Sequence, residues 1–354
     1  MSTTTDSARA PWPSERFLAA VAPFSDVLLV SHVNPDPDAL ASMFGLAALL
    51  RARQPGKTIT LTHDGLIARA ENQAMVHLLS IPVVPLEQVV VGEGTAVVMV
   101  DSQPHTGRRA SEARCPNAVI DHHDTGGVLE RVGFVDLRPE LGATSTIITG
   151  YLLEQHVPVG PMLATALLYG IESEITGYPR EAGPADDGAL VWLYPRADKD
   201  VLAQIRNPRL PLSYFATFQQ ALSNAFLYGD AIVCWCGNVP QPDLIAEIAD
   251  FLIRFEKVRW VVCLGLFEDM MKLSVRTSQL GLNAGEALRT TLDGIGQAGG
   301  HDKRAGGAIS IKERTPEEVE RLRKSVSQRF LFQIHGDTEH GRRLLGFSPV
   351  VPVP

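Results

Sequence analysis

The chain has 354 residues, of which 45% are hydrophobic and 20% charged, and its 32 basic and 40 acidic side chains give a net charge of −8. This composition is typical of a soluble globular protein, and the length favours two domains over one. The acidic balance argues against broad contact with long duplex nucleic acid or an anionic membrane, although a local cationic pocket could hold a short anionic substrate.

Strand-like and helical segments alternate through the first half of the chain. Apolar runs predict strands at 26–32, 57–63, 95–101 and 117–123, and helical patterns occur at 39–53, 69–80, 143–156 and 161–174. This alternation predicts an α/β domain built on a doubly wound, mostly parallel sheet. We assign it to residues 21–185, after an N-terminal tail at 1–20.

The second half predicts a smaller α/β domain. A helical, proline-punctuated connector is expected at 186–225, because the strand pattern stops there and resumes afterwards. Strands are then predicted at 230–236, 258–268, 270–277 and 308–311, and helices at 243–256 and 315–334, with a glycine-rich turn at 296–307. We assign this domain to residues 226–340, and a C-terminal tail to 341–354.

The cysteines and the apolar segments bear on location. None of Cys115, Cys234, Cys236 and Cys263 forms a CxxC pair and no histidine cluster stands beside them, which argues against a structural zinc site or a disulfide framework. The N-terminus has no apolar signal core, and no run approaches 18 apolar residues. We therefore expect a cytoplasmic protein.

Potential metal ligands follow three of the predicted strands. They are His32, Asp36, Asp38, Asp101, His122 and His123. Ligands of open parallel sheets bind outside the carboxyl ends of the strands, so we expect these side chains to converge. Carboxylates with a few imidazoles suit Mn²⁺, and Mg²⁺ less well.

The stretch "SHVNPDPDALAS" at 31–42 carries two closely spaced acids. In an extended segment, alternate side chains point the same way roughly 6–7 Å apart. Asp36 and Asp38 could each serve a different ion of a pair about 3.5–4 Å apart, with Asp101 bridging. The alternatives are that Asp38 caps the helix from Ala39, that Asp101 opens a turn, and that the two histidines of "DHH" are solvated.

Four motifs together resemble those of the DHH phosphoesterase superfamily. They are "SHVNPDPDALAS", "VVMVD", "VIDHH" and "GGHDKRAGG", which occur in the family's order between about residues 25 and 315. The resemblance is strongest for the branch with oligoribonuclease (nanoRNase) and 3′-phosphoadenosine-5′-phosphate phosphatase members. It implies a DHH catalytic domain, a DHH-associated substrate domain and two Mn²⁺ ions, for which Mg²⁺ or Co²⁺ could substitute.

The resemblance also implies roles for individual residues. It gives His32 and Asp36 to one ion, Asp38 and His122 to the second, a bridging catalytic role to Asp101, and a place near the scissile phosphate to His123. The family usually has an aspartate shortly after "GI" as a further ligand of the second ion. In "YGIESE" the matching residue is Glu174, one methylene longer, so the second ion could be shifted or held more weakly.

Substrate contacts are implied in the second domain. The resemblance gives phosphate binding to Arg276 of "LSVRTS" and to the glycine-rich motif, which contains His301. Independently of the family, glycines allow backbone N–H groups to approach an anion closely. The glycines of the motif are Gly299, Gly300, Gly306 and Gly307. The alternative is a plain glycine-rich hairpin.

The function implied is metal-dependent hydrolysis of short oligonucleotides, adenosine 3′,5′-bisphosphate or both, by a water activated between two ions. A soluble cyclic-dinucleotide phosphodiesterase is one alternative. A nucleotide- or metal-binding module with weakened catalysis is the other, and Glu174 is the residue that favours it. No membrane partner and no long duplex partner are expected, and a homodimer stays open as an alternative to a monomer.

Overall fold

The computed structural model describes residues 10–104, 115–124, 129–176, 182–279, 281–300, 302–335 and 341–345. The chain divides into two compact units, residues 1–208 and 209–354. The division falls within 186–225, the segment that the sequence suggests as a connector. Among the described residues, no helix has both the length and the apolar character needed to cross a bilayer.

The first unit is built on a six-stranded parallel sheet. Its strands are β1 Asp26–Val30, β2 Thr58–His63, β3 Val83–Pro85, β4 Thr95–Val100, β5 Ala118–Asp121 and β6 Phe134–Leu137. They lie in the order β3-β2-β1-β4-β5-β6, and every neighbouring pair is parallel. The prediction of a doubly wound parallel sheet is confirmed. The strand order reverses between β1 and β4, which is where such sheets form a ligand crevice.

Seven helices of the described chain belong to this unit. They are α1 Pro13–Val21, α2 Pro37–Arg53, α3 Ala70–Leu78, α4 Thr144–Glu154, α5 Pro161–Ile175, α6 Pro184–Leu193 and α7 Lys199–Arg206. Helix α2 is buried over most of its length and packs against α4 and α5. A Cβ at Gly170 of α5 would lie 2.6 Å from Ser145 Oγ and 2.9 Å from Ala41 Cβ. Glycine at 170 therefore permits close approach of the three helices, one turn before Glu174.

The second unit is built on a seven-stranded mixed sheet. Its strands are β7 Ala225–Tyr228, β8 Ala231–Asn238, β9 Trp260–Phe267, β10 Met270–Thr277, β11 Gln297–Gly300, β12 Arg304–Ser310 and β13 Arg342–Arg343. The order is β11-β12-β10-β9-β8-β7-β13, and the β8–β9 pair alone among the described pairs is parallel. Its helices are α8 Leu212–Ser223, α9 Asp243–Leu252, α10 Ala284–Leu292 and α11 Pro316–His335.

Each face of this sheet carries its own core. Leu288 and Phe330, from α10 and α11, cover one face. Ile245 and Ile248, from α9, cover the other. The predicted second α/β unit is thus confirmed. The sequence-predicted glycine-rich turn is largely the antiparallel hairpin β11–β12, in which Gly299 pairs with Gly306.

Candidate metal centre

The predicted ligands of the first unit meet at the carboxyl ends of β1, β4 and β5. His32, Asp36 and Asp101 form one group of potential ligands, whose donor atoms lie within 4.8 Å of one another. Asp101, His122 and His123 form a second group by the same measure. Asp101 belongs to both groups and therefore joins them.

The two oxygens of Asp101 face different histidines. Oδ2 lies 3.5 Å from His32 Nε2, and Oδ1 lies 3.6 Å from His122 Nε2. The side chain is buried, and the residue has φ 56°, a left-handed conformation that is strained for a residue with a Cβ. Its backbone N–H donates to Ile120 O at 2.9 Å. This strained, fixed backbone holds the carboxylate where it can bridge two ions.

Both histidines present Nε2 to the carboxylates. His32 Nδ1 lies 3.0 Å from Val33 O, and His122 Nδ1 lies 3.2 Å from Leu141 O. An Nδ1–H donor to each carbonyl leaves the Nε2 lone pair for a metal, the usual support for a ligating imidazole.

The distances around the buried Nε2 atom of His32 show whether a metal ion would fit there. His32 Nε2 lies 3.3 Å from Asp36 Oδ2 and 3.5 Å from Asp101 Oδ2, yet it has no hydrogen-bonding partner among the described residues. Ligands about 2.0–2.2 Å from a shared ion lie roughly 3.0–3.5 Å from each other. The spacing of these three donors therefore fits a metal ion better than it fits hydrogen bonds.

Asp36 and Asp38 differ from the sequence prediction in their local structure. Helix α2 begins at Pro37, and Asp36 is its N-cap, accepting from Ala39 N at 3.0 Å. Asp38 lies in the first turn of the helix, so the expected extended segment is wrong, and Asp38 does not cap its own helix. The Pro-Asp-Pro-Asp sequence instead uses Pro37 at the first helical position, where its missing N–H costs nothing.

The Asp38 carboxylate caps another helix. It is fully buried, and it accepts from Thr144 N and Ser145 N at 2.7 Å each, at the start of α4. The positive end of a helix dipole stabilises a carboxylate. Oδ2 of Asp38 also lies 3.9 Å from His122 Nε2, on the Oδ1 side of Asp101. Asp38 thus lies near the group formed by Asp101, His122 and His123.

The segment "GATS" at 142–145 supports the carboxylates directly. Thr144 Oγ1 donates to Asp101 Oδ1 at 2.9 Å. The N-cap of α4 is Ala143, and no side chain caps this helix from within its own segment. Behind the segment, buried Asp186 accepts from Gly142 N at 3.0 Å and Thr146 Oγ1 at 2.6 Å. Sequence reasoning missed Asp186, which lies far from any motif.

The electrostatics of the cluster show an excess of negative charge. Burial, followed by the charge of Asp101, raises the pKa of Asp38 to about 7. Burial, followed by Asp36, Asp38 and Asp101, raises the pKa of Glu174 to about 8. Burial would lower the pKa of His122, but Asp101, Asp38 and Glu174 together raise it to about 9. The neighbouring carboxylate charges that contribute to all three shifts would also attract a cation, and oxygen and imidazole donors suit Mn²⁺ or Mg²⁺.

His123 is oriented by the aspartate of the same motif. Its Nδ1 lies 2.8 Å from Asp121 Oδ1 and 3.9 Å from Asp101 Oδ1. Asp121 is fully buried, and its Oδ2 accepts from Gln103 Nε2 at 2.9 Å. Sequence reasoning assigned no role to Asp121, although its place directly before the histidines in "VIDHH" was a usable signal.

In the second unit, Arg276 is held by an acidic partner. Its guanidinium donates from Nε to Asp250 Oδ1 at 2.5 Å and from Nη2 to Asp250 Oδ2 at 3.3 Å. Nη1 donates to Ser274 Oγ at 2.8 Å. The arginine is 8% exposed, so a phosphate would meet an oriented side chain that already shares its charge.

Two of the motif's glycines are required by packing. A Cβ at Gly300 would lie 2.3 Å from Arg304 O, and one at Gly307 would lie 2.6 Å from Leu292 Cδ1. Gly300 also has φ 148°, which favours glycine. Both glycines are therefore needed for packing, and Gly307 allows the hairpin to lie against α10.

The other two glycines have open space where a side chain would stand. No atom lies within 4 Å of a Cβ built at Gly299, and the nearest to one at Gly306 is 3.9 Å away. Gly306 pairs with Ser274, so these glycines share a sheet face with Arg276, two residues further along β10. Arg276 therefore lies beside a part of this face that carries no side chains. His301 lies outside the described residues.

Comparison with known proteins identifies the first unit. Residues 26–171 match the DHH family, N-terminal domain. An uncharacterized protein of Methanocaldococcus jannaschii is 31% identical over 306 residues, which are 85% of this chain and 62% of that protein. A probable bifunctional oligoribonuclease and PAP phosphatase of Streptococcus mutans is 26% identical over 160 residues, which are 44% and 47% of the two chains.

Two further similarities extend this picture. An A-adding tRNA nucleotidyltransferase of Geobacter sulfurreducens is 27% identical over 207 residues, 56% of this chain and 23% of that protein. The chain thus spans less than two thirds of the length of each of these three relatives. The crystal structure of an exopolyphosphatase-related protein from Bacteroides fragilis shares the fold, with a TM-score of 0.65 at 16% identity over 93% of this chain and 99% of that one.

The family match contains the whole strand framework of the centre. It begins at Asp26, the first residue of β1, and ends at Ile171 in α5. Within it lie both groups of potential ligands and the "DHH" sequence at 121–123. Residues 26–171, which carry this framework, therefore match the N-terminal domain of the DHH family.

Proposed function

We propose that the chain is a two-metal phosphoesterase that hydrolyses short oligonucleotides, adenosine 3′,5′-bisphosphate or both. The observation that carries this proposal is the geometry of Asp101, whose two oxygens lie 3.5 Å and 3.6 Å from the Nε2 atoms of two different histidines. A carboxylate shared in this way is what a pair of ions needs.

The proposed ligands divide between the two sides of Asp101. His32 and Asp36 would hold one Mn²⁺ ion, and Asp38, His122 and Glu174 would hold the other, with Mg²⁺ or Co²⁺ as substitutes. When bound, such ions supply an acidic water and neutralise charge on a phosphoryl group. Glu174 shares the charge repulsion of the aspartates. That supports a ligand role for Glu174.

The chain's own residues would position the substrate. Asp121 holds the ring of His123 beside Asp101, where an imidazole can donate to a non-bridging phosphoryl oxygen. Asp121 and Gln103 are both buried, which limits the motion of that ring. His123 would thus act as the phosphate-orienting residue of the first unit.

The second unit would bind a terminal phosphate or nucleotide. Arg276 offers charge-assisted donors, Gly299 and Gly306 leave room for an anion above the same sheet face, and His301 would add a further donor. A chain with a net charge of −8 suits a short anion at such a local site better than a long strand. The name of the Streptococcus mutans relative points to the same substrate class.

A hydrolysis panel tests the proposal. Purified protein with Mn²⁺ is offered a 5′-phosphorylated dinucleotide, a longer oligoribonucleotide, adenosine 3′,5′-bisphosphate and cyclic di-AMP. We expect turnover of the dinucleotide or the bisphosphate, and a loss of at least about 100-fold in Asp101→Asn. Glu93→Gln, which alters an exposed carboxylate of the same unit, serves as the matched control.

The outcomes separate the alternatives. Preference for cyclic di-AMP would identify a cyclic-dinucleotide phosphodiesterase. No turnover across the panel, with Mn²⁺ binding demonstrated by calorimetry, would favour the binding module. Full activity in Asp101→Asn would show that the bridging role is wrong.

A further inference from the structure

A third group of potential metal ligands lies in the second unit and consists of three thiols. Cys234 and Cys236 lie in β8 and Cys263 lies in β9, and their Sγ atoms are within 4.8 Å of one another. All three side chains are fully buried, and none takes part in a disulfide. The fourth cysteine, Cys115, is exposed and lies in the first unit.

The sheet register produces this cluster. Cys234 and Cys263 are directly paired across the parallel strands, and Cys236 follows on the same face two residues later. Past Trp235 the register shifts, and Gly237 adopts φ 71°. The irregularity alters the local direction of β8 next to Cys236.

The fourth neighbouring position on the sheet face that packs against α9 is a glycine. Gly265 follows Cys263 by two residues, and a Cβ there would lie 3.3 Å from Cys236 Cβ and 2.8 Å from Ile245 Cδ1. A larger residue at 265 would push against Cys236. Three sulfurs and one position without a side chain therefore share the space beneath α9.

We propose that these three sulfurs bind one soft, thiophilic metal ion, with monovalent copper as the best fit. Sulfur ligands select copper(I) or zinc over harder ions. Three sulfurs about 2.3 Å from a central ion would lie about 4 Å apart, which agrees with the observed limit of 4.8 Å. The proposal does not depend on the phosphoesterase function.

The number of ligands decides between the two ions. Structural zinc sites are almost always four-coordinate. In the described part of the chain, no histidine or carboxylate joins the cysteine group. The cluster packs against Ile245, Ile248 and Leu252 of α9, and Ser274 of β10 is paired with Cys263 on its other side. Copper(I) is satisfied with three sulfurs, whereas zinc would lack its fourth ligand here.

Burial of unliganded cysteine in an apolar core is the ordinary alternative, since a free thiol packs as a small hydrophobe. At rest the cluster is hydrogen-bonded, because the Cys234 thiol lies 3.4 Å from Ala221 O as a donor. Any sulfur that binds as a thiolate must release its proton to solvent, so copper uptake lowers the pH of a weakly buffered solution. Simple packing predicts no such release.

The experiment uses the reduced, full-length Cys115→Ser protein under anaerobic conditions. It is titrated with copper(I) against a competing chelator, both in the native state and during refolding, because the thiols are buried. We expect one equivalent of copper per chain, with three sulfur neighbours by X-ray absorption spectroscopy. Cys236→Ala and Cys263→Val, each made in the Cys115→Ser background, should weaken copper binding at least tenfold.

A parallel arm uses Zn²⁺. Zinc held at the aspartate–histidine centre is recognised by an oxygen and nitrogen shell, and it does not count for the cysteine site. Uptake of less than a tenth of an equivalent of either ion by the cysteines would overturn the proposal. Zinc bound by sulfur, with copper excluded, would overturn the three-coordinate assignment. If the alanine and valine variants fail to fold, the sulfur count in Cys115→Ser decides alone.

Discussion

Glu174 stands where the resemblance leads one to expect an aspartate, and Glu174→Gln removes its charge while keeping its shape. In the metal-free protein, burial and the charges of Asp36, Asp38 and Asp101 raise its pKa from 4.5 to about 8. A carboxyl group with a raised pKa keeps its proton in the folded state after the unfolded state has lost it. Stability therefore falls as the pH rises from 4.5 to about 8, and glutamine should abolish that fall.

The magnitude follows from the interval between the two pKa values. Between pH 4.5 and pH 7, an interval of about 2.5 pH units, the group is ionised in the unfolded state and still mostly protonated in the folded state. At roughly 1.4 kcal/mol per unit, the free energy of unfolding falls by about 3 kcal/mol over this interval. Glu174 and the neighbouring aspartates repel one another, so protonation of any one of them reduces the repulsion felt by the others and makes the effect of Glu174 alone smaller. We therefore expect Glu174→Gln to stabilise the metal-free protein by about 1–3 kcal/mol at pH 7, or roughly 2–12 °C in Tm.

Thermal unfolding with a chelator and with Mn²⁺ provides the assay. At pH 5 the variant and the parent should differ by less than about 1 kcal/mol, because little of the interval has been crossed. With Mn²⁺ the sign should reverse, since the parent gains a ligand that glutamine supplies poorly. Glu172→Gln is the matched control, because Glu172 lies on the same helix and pairs with Arg206.

Two results would refute this reasoning. Destabilisation of metal-free Glu174→Gln at pH 7 would show that the carboxylate is not repelled by its neighbours. Equal Mn²⁺-induced increases in Tm for the parent and Glu174→Gln would remove Glu174 from the ligand set. Activity need not be measured for either conclusion.

Three further variants test the residue that orients His123, the proposed phosphate contact of the second unit, and the carboxylate behind the metal centre. Asp121→Asn should lower kcat about 10–100-fold with little change in Mn²⁺ affinity by calorimetry, whereas an equal loss of Mn²⁺ affinity would assign Asp121 to the ion instead. Arg276→Met should raise KM at least about tenfold with kcat nearly unchanged; Arg321→Met, at an exposed arginine, should do neither. Asp186→Asn should cost about 1–3 kcal/mol in chemical denaturation, because it loses buried hydrogen bonds, and a cost below about 0.5 kcal/mol would contradict that role.

Buried strands were the elements most readily predicted from the sequence. The runs that became β1, β4 and β5 are nearly continuous apolar stretches, as a strand covered on both faces requires. The edge strands β3 and β6 were missed because they have three and four residues and are partly exposed. Helix α10 was missed beside the glycine-rich motif, although its N-cap, Asn283, accepts from Glu286 N and is a standard start signal.

The site divides in the same way between local and long-range information. His32, Asp101 and His122 directly end or follow a strand, so topology alone brought them together. The environment of Asp38 could not be read from "PDPDA", because its partners Thr144 N and Ser145 N lie more than 100 residues away. The cysteine cluster was not predicted for the same reason. Metal-site motifs depend on spacing along the chain, whereas Cys263 is brought beside Cys234 by strand pairing.

The double use of Asp38 explains how so acidic a centre can exist before any ion arrives. Its two oxygens each accept a backbone N–H from the start of α4, while one of them also faces His122. These bonds and the helix dipole hold the carboxylate in place against the repulsion of Asp101. An ion bound at the proposed site would then need only to displace protons from groups already in position, so the fold of the first unit, rather than the metal, would supply the free energy that assembles the proposed ligands.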